Sequence, residues 1–269
     1  MHKAPCLGIL MLDNRFERYL GDIGNSATMP FPVLYRKVPN ATTAAITTLQ
    51  DDSFLEGFVE AGLALVSEGA DGIVTSCGFL AIYQKELASR LGVPVASSAL
   101  LQIATVDRIL PKGKRTGVLT FNGASLGRPH LEGVGAPLDV PIVGLASDGR
   151  FQRALLGLVT GDGYDIREGE AVDAARVLVT RHPEIGAIVL ECTNLVPHAA
   201  AIHAATGLPV YDVWTLISWF YAGLRPHRWP APYIAGGVET TPNRPCPRLP
   251  TSLASGNTRK RPQVHAWPR

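Results

Sequence analysis

Short apolar runs alternate along this chain with longer stretches in which apolar residues return every third or fourth position. Compact apolar runs rich in β-branched residues, with little polar alternation, read as strands buried on both faces. They stand at 7–12, 31–38, 72–76, 93–96, 115–120, 141–145, 186–191 and 208–211. Between them, 51–70 sets Phe54, Phe58, Ala61 and Leu65 on one helical stripe. Asp51, Asp52 or Ser53 stands where that helix needs a cap, and Gly69 where it ends. Helical spacing returns after 77, around 150–160, over 168–181, after 192 and in a closing stretch through Tyr221. Strands alternating with helices through short turns predict an α/β fold with mostly parallel sheets and right-handed crossovers.

The rhythm also repeats itself. One passage reads GIVTSCGFLAIYQKELASRLGVPVASSALL and a later one AIVLECTNLVPHAAAIHAATGLPVYDVWTL. With Cys77 laid over Cys192, Ile73 and Val74 fall on Ile188 and Val189 without a gap. Gly92 and Gly207 open the same Gly-x-Pro-Val punctuation, 15 residues after each cysteine. A period of 115 residues is too long for a solenoid. It predicts two pseudo-symmetric halves, 1–110 and 111–224, followed by a separate stretch over 225–269. Each cysteine then sits at the carboxyl end of a parallel strand, the edge where open α/β sheets bind ligands. The helix that follows is expected to lower the thiol pKa from its free value of about 8.5. Two thiols on opposing edges of one cleft make an acid–base pair.

Charge changes the picture only at the end of the chain. The net charge is +2, but residues from Arg225 onward carry eight Lys/Arg and one Glu, leaving the body mildly acidic. Nucleic acid is therefore disfavoured as a partner of the body. Nine of the 21 prolines lie in the same tail, which reads as disordered or laid along the surface. No apolar stretch reaches the length of a membrane span, and Leu7–Leu12 ends at Asp13 without a signal-peptide cleavage pattern. The expectation is a cytoplasmic protein with a small-molecule substrate; homo-oligomerisation stays open.

The four cysteines, at 6, 77, 192 and 246, show no CxxC and no metal-ligand spacing. A lone cysteine is more often a small hydrophobe than a catalyst. The matched positions of Cys77 and Cys192 reverse that weighting, whereas Cys6 reads as core and Cys246 as incidental. Gly78 and Phe79 flank the first thiol, and Thr193 and Asn194 the second, where they offer donors to a carboxylate or an enolate. Glu191 precedes Cys192, and strand alternation points its side chain away from the sulfur. Asp13, Asn14 and Asn122 end the equivalent first strands. Asn122, Gly123 and Ser125 form either an anion-binding turn or a plain one. Asp22 and Asn25, in the glycine-bearing loop after the first strand, are candidate lid residues. Asp212 and its counterpart Ser97 read as helix caps, and Tyr83 and His198 as helix-surface residues. Templates for nucleotide, flavin or metal binding (GxxxxGK, GxGxxG, HExxH) are missing, and no cofactor is called for.

The paired TSCGF and ECTNLVPH motifs, in two repeated α/β halves over about residues 5–224, resemble the aspartate/glutamate/hydantoin racemase superfamily. The resemblance implies flavodoxin-like halves with the site between them and no cofactor. It implies that Cys77 and Cys192 are the two bases, and that Asp13, Asn14, Asn122, Thr193 and Asn194 line the pocket. Many amino-acid racemases of that family carry Asn-Thr after the first cysteine, where this chain has Gly78-Phe79, and His where it has Asn194. The stretch GDIGNSATMPFPVLYRKVP, with CGF and ECTN, looks closer to the branch that includes algal dimethylsulfoniopropionate lyases. The leading expectation is two-base racemisation or epimerisation of a small carboxylate-bearing compound. The alternatives are β-elimination from the same carbanion and, in a different class, a non-catalytic binding protein for a small acid.

Overall fold

The computed structural model describes residues 5–48, 52–161 and 163–226. The tail from 227 onward and Asp51 lie outside the described residues. Strands β1 (Leu7–Leu12), β2 (Val33–Val38), β3 (Gly72–Thr75) and β4 (Val95–Ala96) make a first sheet. Strands β5 (Arg115–Thr120), β6 (Ile142–Gly144), β7 (Ile185–Leu190) and β8 (Val210–Tyr211) make a second. Helices α1 (Thr43–Thr47), α2 (Leu55–Ser67), α3 (Gln84–Arg90) and α4 (Ile103–Ile109) belong to the first half of the chain. The second half holds α5 (Arg128–Val134), α6 (Arg150–Leu155), α7 (Tyr164–Arg181), α8 (Ala199–Thr206) and α9 (Val213–Leu224).

The sheets have matching strand orders, β2-β1-β3-β4 and β6-β5-β7-β8, and every pairing among them is parallel. The duplication expected from the repeat is therefore present in the topology. The apolar runs sit where the pattern predicts because central parallel strands are covered on both faces: every residue of β1 and β3 is buried. Helix α2 lays Phe58 and Leu65 into the first half's core, each fully buried. Burial of such a side chain stabilises by roughly 1.5–3 kcal/mol. Gly69 leaves that helix with φ +101°, as its place at the end requires. Its start differs from expectation, since the N-cap is Phe54 and no side chain bonds there.

Two further expectations need correction. Asp212 caps α9, its carboxylate accepting the Thr215 N–H at 2.8 Å. At the equivalent place in the first half, the cap is Ser98, which accepts the Leu100 N–H at 3.2 Å, while the Ser97 carbonyl accepts the Thr75 hydroxyl. Tyr83 and His198 are not surface residues; both are fully buried. Tyr83 packs near Phe58, and His198 lies between Phe151 and Tyr164. Their segments open as 3-10 turns, Gly78–Tyr83 and Thr193–His198, which turn these side chains inward.

The two halves are not laid side by side as independent lobes. Helix α4 packs on β5 of the second sheet, and α9 packs on β3 and β4 of the first. Val213, Leu216 and Ile217 of α9 share a core cluster with Leu7, Ile9 and Val74. Helix α5, short and without a strong apolar stripe, presses on the 3-10 turn after Cys77, and a side chain at Gly133 would strike the Ala81 carbonyl. The described residues, 5 to 226, form one compact unit by their contacts.

Candidate active site

The carboxyl ends of β1, β3, β5 and β7 converge, and the chain leaves each of them into the same space. Cys77 follows β3 and Cys192 follows β7, both in extended backbone, at φ −149° and −73°. Both line one cavity of about 20 Å³, so the two repeats each deliver one thiol to it. Around them stand Asn14, Phe16 and Arg18 from the loop after β1, Thr43 and Thr47 of α1, Ser76, Gly78, Phe79, Phe121, Leu155, Glu191, Thr193 and Asn194. A volume of that size holds about one water molecule, so the space at the thiols is tight.

Desolvation overturns the expectation of depressed thiol pKa values. Burial pushes Cys77 well above the usual thiol range, and the nearby Glu191 carboxylate pushes the same way. The backbone N–H groups of Phe79 and Leu80 pull it back, but only in part. Cys192 is raised by the same two causes, with smaller contributions from Cys77 and Asp22. Each thiol is followed by a 3-10 turn of six residues rather than a long helix, and its few N–H groups do not offset desolvation.

Glu191 also departs from the strand-alternation reading, because its side chain is in the cavity wall. It is 1% exposed, and one carboxyl oxygen accepts the Thr120 hydroxyl at 2.6 Å. The other lies against Gly78, where any side chain would collide with it. Burial raises its pKa to about 7, against the opposing pull of Thr120 and the Phe121 backbone.

The loop after β1 reaches across to the second cysteine. The Cys192 thiol donates to Asn194 Oδ1 at 3.7 Å, and Asn194 Nδ2 donates to the Asp22 carboxylate. Asp22 is also bonded by Arg18 at 2.9 Å and by the Gly24 N–H at 2.7 Å. Thr193 faces the cavity and donates its hydroxyl to the Ser76 carbonyl at 2.7 Å, tying the two strand ends together. Asn14 holds Thr43 through two bonds, 2.8 and 3.0 Å.

The cavity therefore brings together Cys77, Cys192, Asn14, Gly78, Phe79, Thr193 and Asn194. The remaining candidates are placed elsewhere. Asp13 is at the surface, 3.7 Å from Lys37. Asn122 closes a local turn onto the Ala124 N–H at 3.0 Å, Ser125 bonds back to the Asn122 carbonyl, and Gly123 sits against the Gly144 backbone. Asn25 caps a short turn through the Ala27 N–H and donates to the Arg18 carbonyl. Sequence reasoning missed Arg18, Phe16 and Phe121. Arg18 is the cation lining the cavity among the described residues, and its guanidinium lies 4.5 Å over the Phe16 ring. The available signal was position: the loop leaves a strand at the ligand edge and carries two arginines and a phenylalanine.

Among the described residues, no cluster of three or more His, Cys, Asp or Glu is placed to hold a metal ion. No helix there is long and apolar enough to cross a membrane.

No family model matches the chain. It is 30% identical over 236 residues to dimethylsulfoniopropionate lyase 7 of Emiliania huxleyi, covering 82% of this chain and 67% of that one. Against a dimethylsulfoniopropionate lyase of Durusdinium sp. clade D it is 29% identical over 237 residues, covering 82% and 75%. The chain spans 60% of the length of another Emiliania huxleyi relative, dimethylsulfoniopropionate lyase 6. Among solved structures, arylmalonate decarboxylase superposes with a TM-score of 0.56 at 15% identity, over 82% of this chain and 92% of that one. Allantoin racemase from Klebsiella pneumoniae does so with 0.56 at 17%, over 82% and 87%. These two likenesses concern the fold.

Proposed function

This chain belongs to the aspartate/glutamate racemase superfamily, in the branch of the dimethylsulfoniopropionate lyases, and from that premise we propose that it is a cofactor-independent carbon-acid lyase. A cysteine thiolate takes the proton from the carbon beside a carboxylate, and the carbanion expels the group on the β-carbon. With dimethylsulfoniopropionate the C–S bond breaks, its electron pair leaves with dimethyl sulfide, and acrylate remains. The observation that carries the reading is that Cys77 and Cys192, one from each repeat, line a single cavity.

The rest of the lining suits such a substrate. Arg18 supplies a positive charge for the carboxylate, and Asn14, Thr193 and Asn194 supply polar groups around the reacting carbon. Phe16, Phe79 and Phe121 offer ring surfaces to a sulfonium, which aromatic faces attract. A cation bound beside a buried thiol also favours the thiolate that burial disfavours. Elimination takes precedence over racemisation because the sequence relatives are lyases, while the racemase likeness rests on fold. Racemisation is the second reading, favoured by the symmetric placement of the thiols.

Incubation in D₂O with dimethylsulfoniopropionate, amino acids or hydantoins, followed by proton NMR, separates these readings. Elimination yields acrylate and dimethyl sulfide; racemisation yields deuterium at the α-carbon and the mirror image. Removal of a positioned acid or base costs about 10²–10⁴-fold. Under elimination at least one of Cys77→Ala and Cys192→Ala loses that much, and under racemisation both do. Full turnover by both single variants excludes thiol chemistry. Tight binding without any solvent exchange would make the protein a sensor of small acids.

A further inference from the structure

We infer that Glu191 is the internal proton acceptor that turns a cavity thiol into the thiolate base while the site is closed around its substrate. The inference rests on the thiol-base reading above and deepens it. Acting through the sulfurs, Glu191 is a positioning residue rather than a catalytic one.

The geometry carries it. Glu191 immediately precedes Cys192, and its carboxyl lies against Gly78, the residue that immediately follows Cys77. One acid therefore adjoins the backbone of both thiols, and its charge opposes the ionisation of each. It forms no ion pair among the described residues, although it is almost fully buried. A buried carboxylate without a cation is costly, so it takes a proton readily when one is offered. Thr120 from β5 holds it through a hydroxyl bond, and the Phe121 backbone adds a smaller pull. The charged group on the remaining walls is Arg18 of the loop after β1, which reaches Asp22 behind it rather than Glu191. Thr43 and Thr47 of α1 and Leu155 of α6 add no charge.

Charge conservation explains why an acceptor is needed. Loss of a thiol proton to solvent from a cavity of about 20 Å³ would add a second negative charge beside Glu191. Transfer from Sγ to the Glu191 carboxylate gives a thiolate and a neutral acid, leaving the net charge unchanged. The thiolate then takes the substrate's α-proton and is a thiol again. The β-group leaves with the bonding electrons, and Glu191 releases its proton to solvent when the site opens. Overall, substrate becomes alkene, leaving group and one proton.

This scheme has a distinctive pH signature. The acceptor is available only when ionised, so the thiolate–acid state rises with pH up to about 7 and is level above it. In Glu191→Gln the thiol can ionise only by losing its proton outright. The thiolate fraction then climbs about tenfold per pH unit straight through that range. The full chain, wild type and Glu191→Gln, is assayed from pH 5.5 to 9 in two ways. One is turnover of dimethylsulfoniopropionate; the other is iodoacetamide alkylation of Cys77 and Cys192, followed by peptide mass spectrometry. The expected result is a plateau above pH 7 in the wild type and its loss in the variant. Thr120→Val removes the donor that favours the carboxylate, so the onset of the plateau moves to higher pH. This second variant decides the matter if Glu191→Gln fails to fold. A plateau unchanged by either substitution overturns the inference. A wild type that neither eliminates nor exchanges an α-proton with any compound of the panel overturns the thiol-base reading itself.

Discussion

Gly78 and Glu191 occupy the seam where the two repeats touch, and the size of one sets the place of the other. An added Cβ at residue 78 would run into both the backbone carbonyl and the carboxyl of Glu191. Neither obstacle is the free end of a flexible chain, because Thr120 holds the carboxyl and β7 holds the carbonyl. Gly78→Ala is therefore expected to cost about 1–3 kcal/mol, the range for overpacking a filled interior. Thermal unfolding reads the loss as a lowered Tm, and the alkylation rate of Cys77 changes with it. Wild-type stability and alkylation in that variant would show that the seam has slack. The glycine also accounts for a difference in the repeat. Its counterpart is Thr193, whose hydroxyl reaches the Ser76 carbonyl; a residue of that size fits on one side of the seam because the other side carries none.

At the scale of elements, the loop between β1 and β2 is what completes the cavity. It contributes Asn14, Phe16 and Arg18, and through Asp22 it fastens to Asn194 beside the second thiol. If Arg18 receives the substrate carboxylate, removing its charge weakens binding more than turnover. A charged hydrogen bond is worth about 1.5–3 kcal/mol, so KM rises roughly 10- to 150-fold while kcat changes far less. Arg18→Met alone strands Asp22 in a buried site, so the informative variant is Arg18→Met with Asp22→Asn. A KM unaffected by that pair of substitutions would place the carboxylate elsewhere. The strands and the long helices were legible in advance, because apolar periodicity reports burial directly. The loop's contribution was not. An arginine in a glycine-bearing loop reads as solvated until a folded partner such as Asp22 turns it inward. Helix α5 was likewise missed, since its place is set by tertiary contact with the turn after Cys77. The thiol pKa direction failed for a related reason: sequence shows the N–H groups of a following turn but not the burial that outweighs them.

For the molecule as a whole, the decisive feature is the exchange of helices. A duplicated sequence suggests two lobes, each sealed by its own last helix. Instead α4 packs on the second sheet and α9 bridges β8 of its own sheet and β3 and β4 of the first, so each sheet is covered in part by the other half. One apolar cluster also runs from Leu10 and Phe79 in the first half to Leu119 and Phe151 in the second. Unfolding of residues 5–226 is therefore expected as a single calorimetric transition, with van't Hoff and calorimetric enthalpies in agreement. Two resolved transitions would show that the halves are separable. The repeat was plain from the paired cysteines and Gly-x-Pro-Val segments, and so was the parallel order of strands. The direction in which each last helix crosses was not, because apolar stripes record that a face is covered and not by what.

The crossed helices bear on how anything reaches the thiols. Lobes joined only by a linker can swing apart like the leaves of a book, but here each leaf is stitched to the other by a helix that belongs to its neighbour. Parting them would uncover part of both sheets at once. The walls that belong to neither sheet, the loop carrying Asn14, Phe16 and Arg18 and helix α1 with Thr43 and Thr47, are then where a route to the thiols is to be sought.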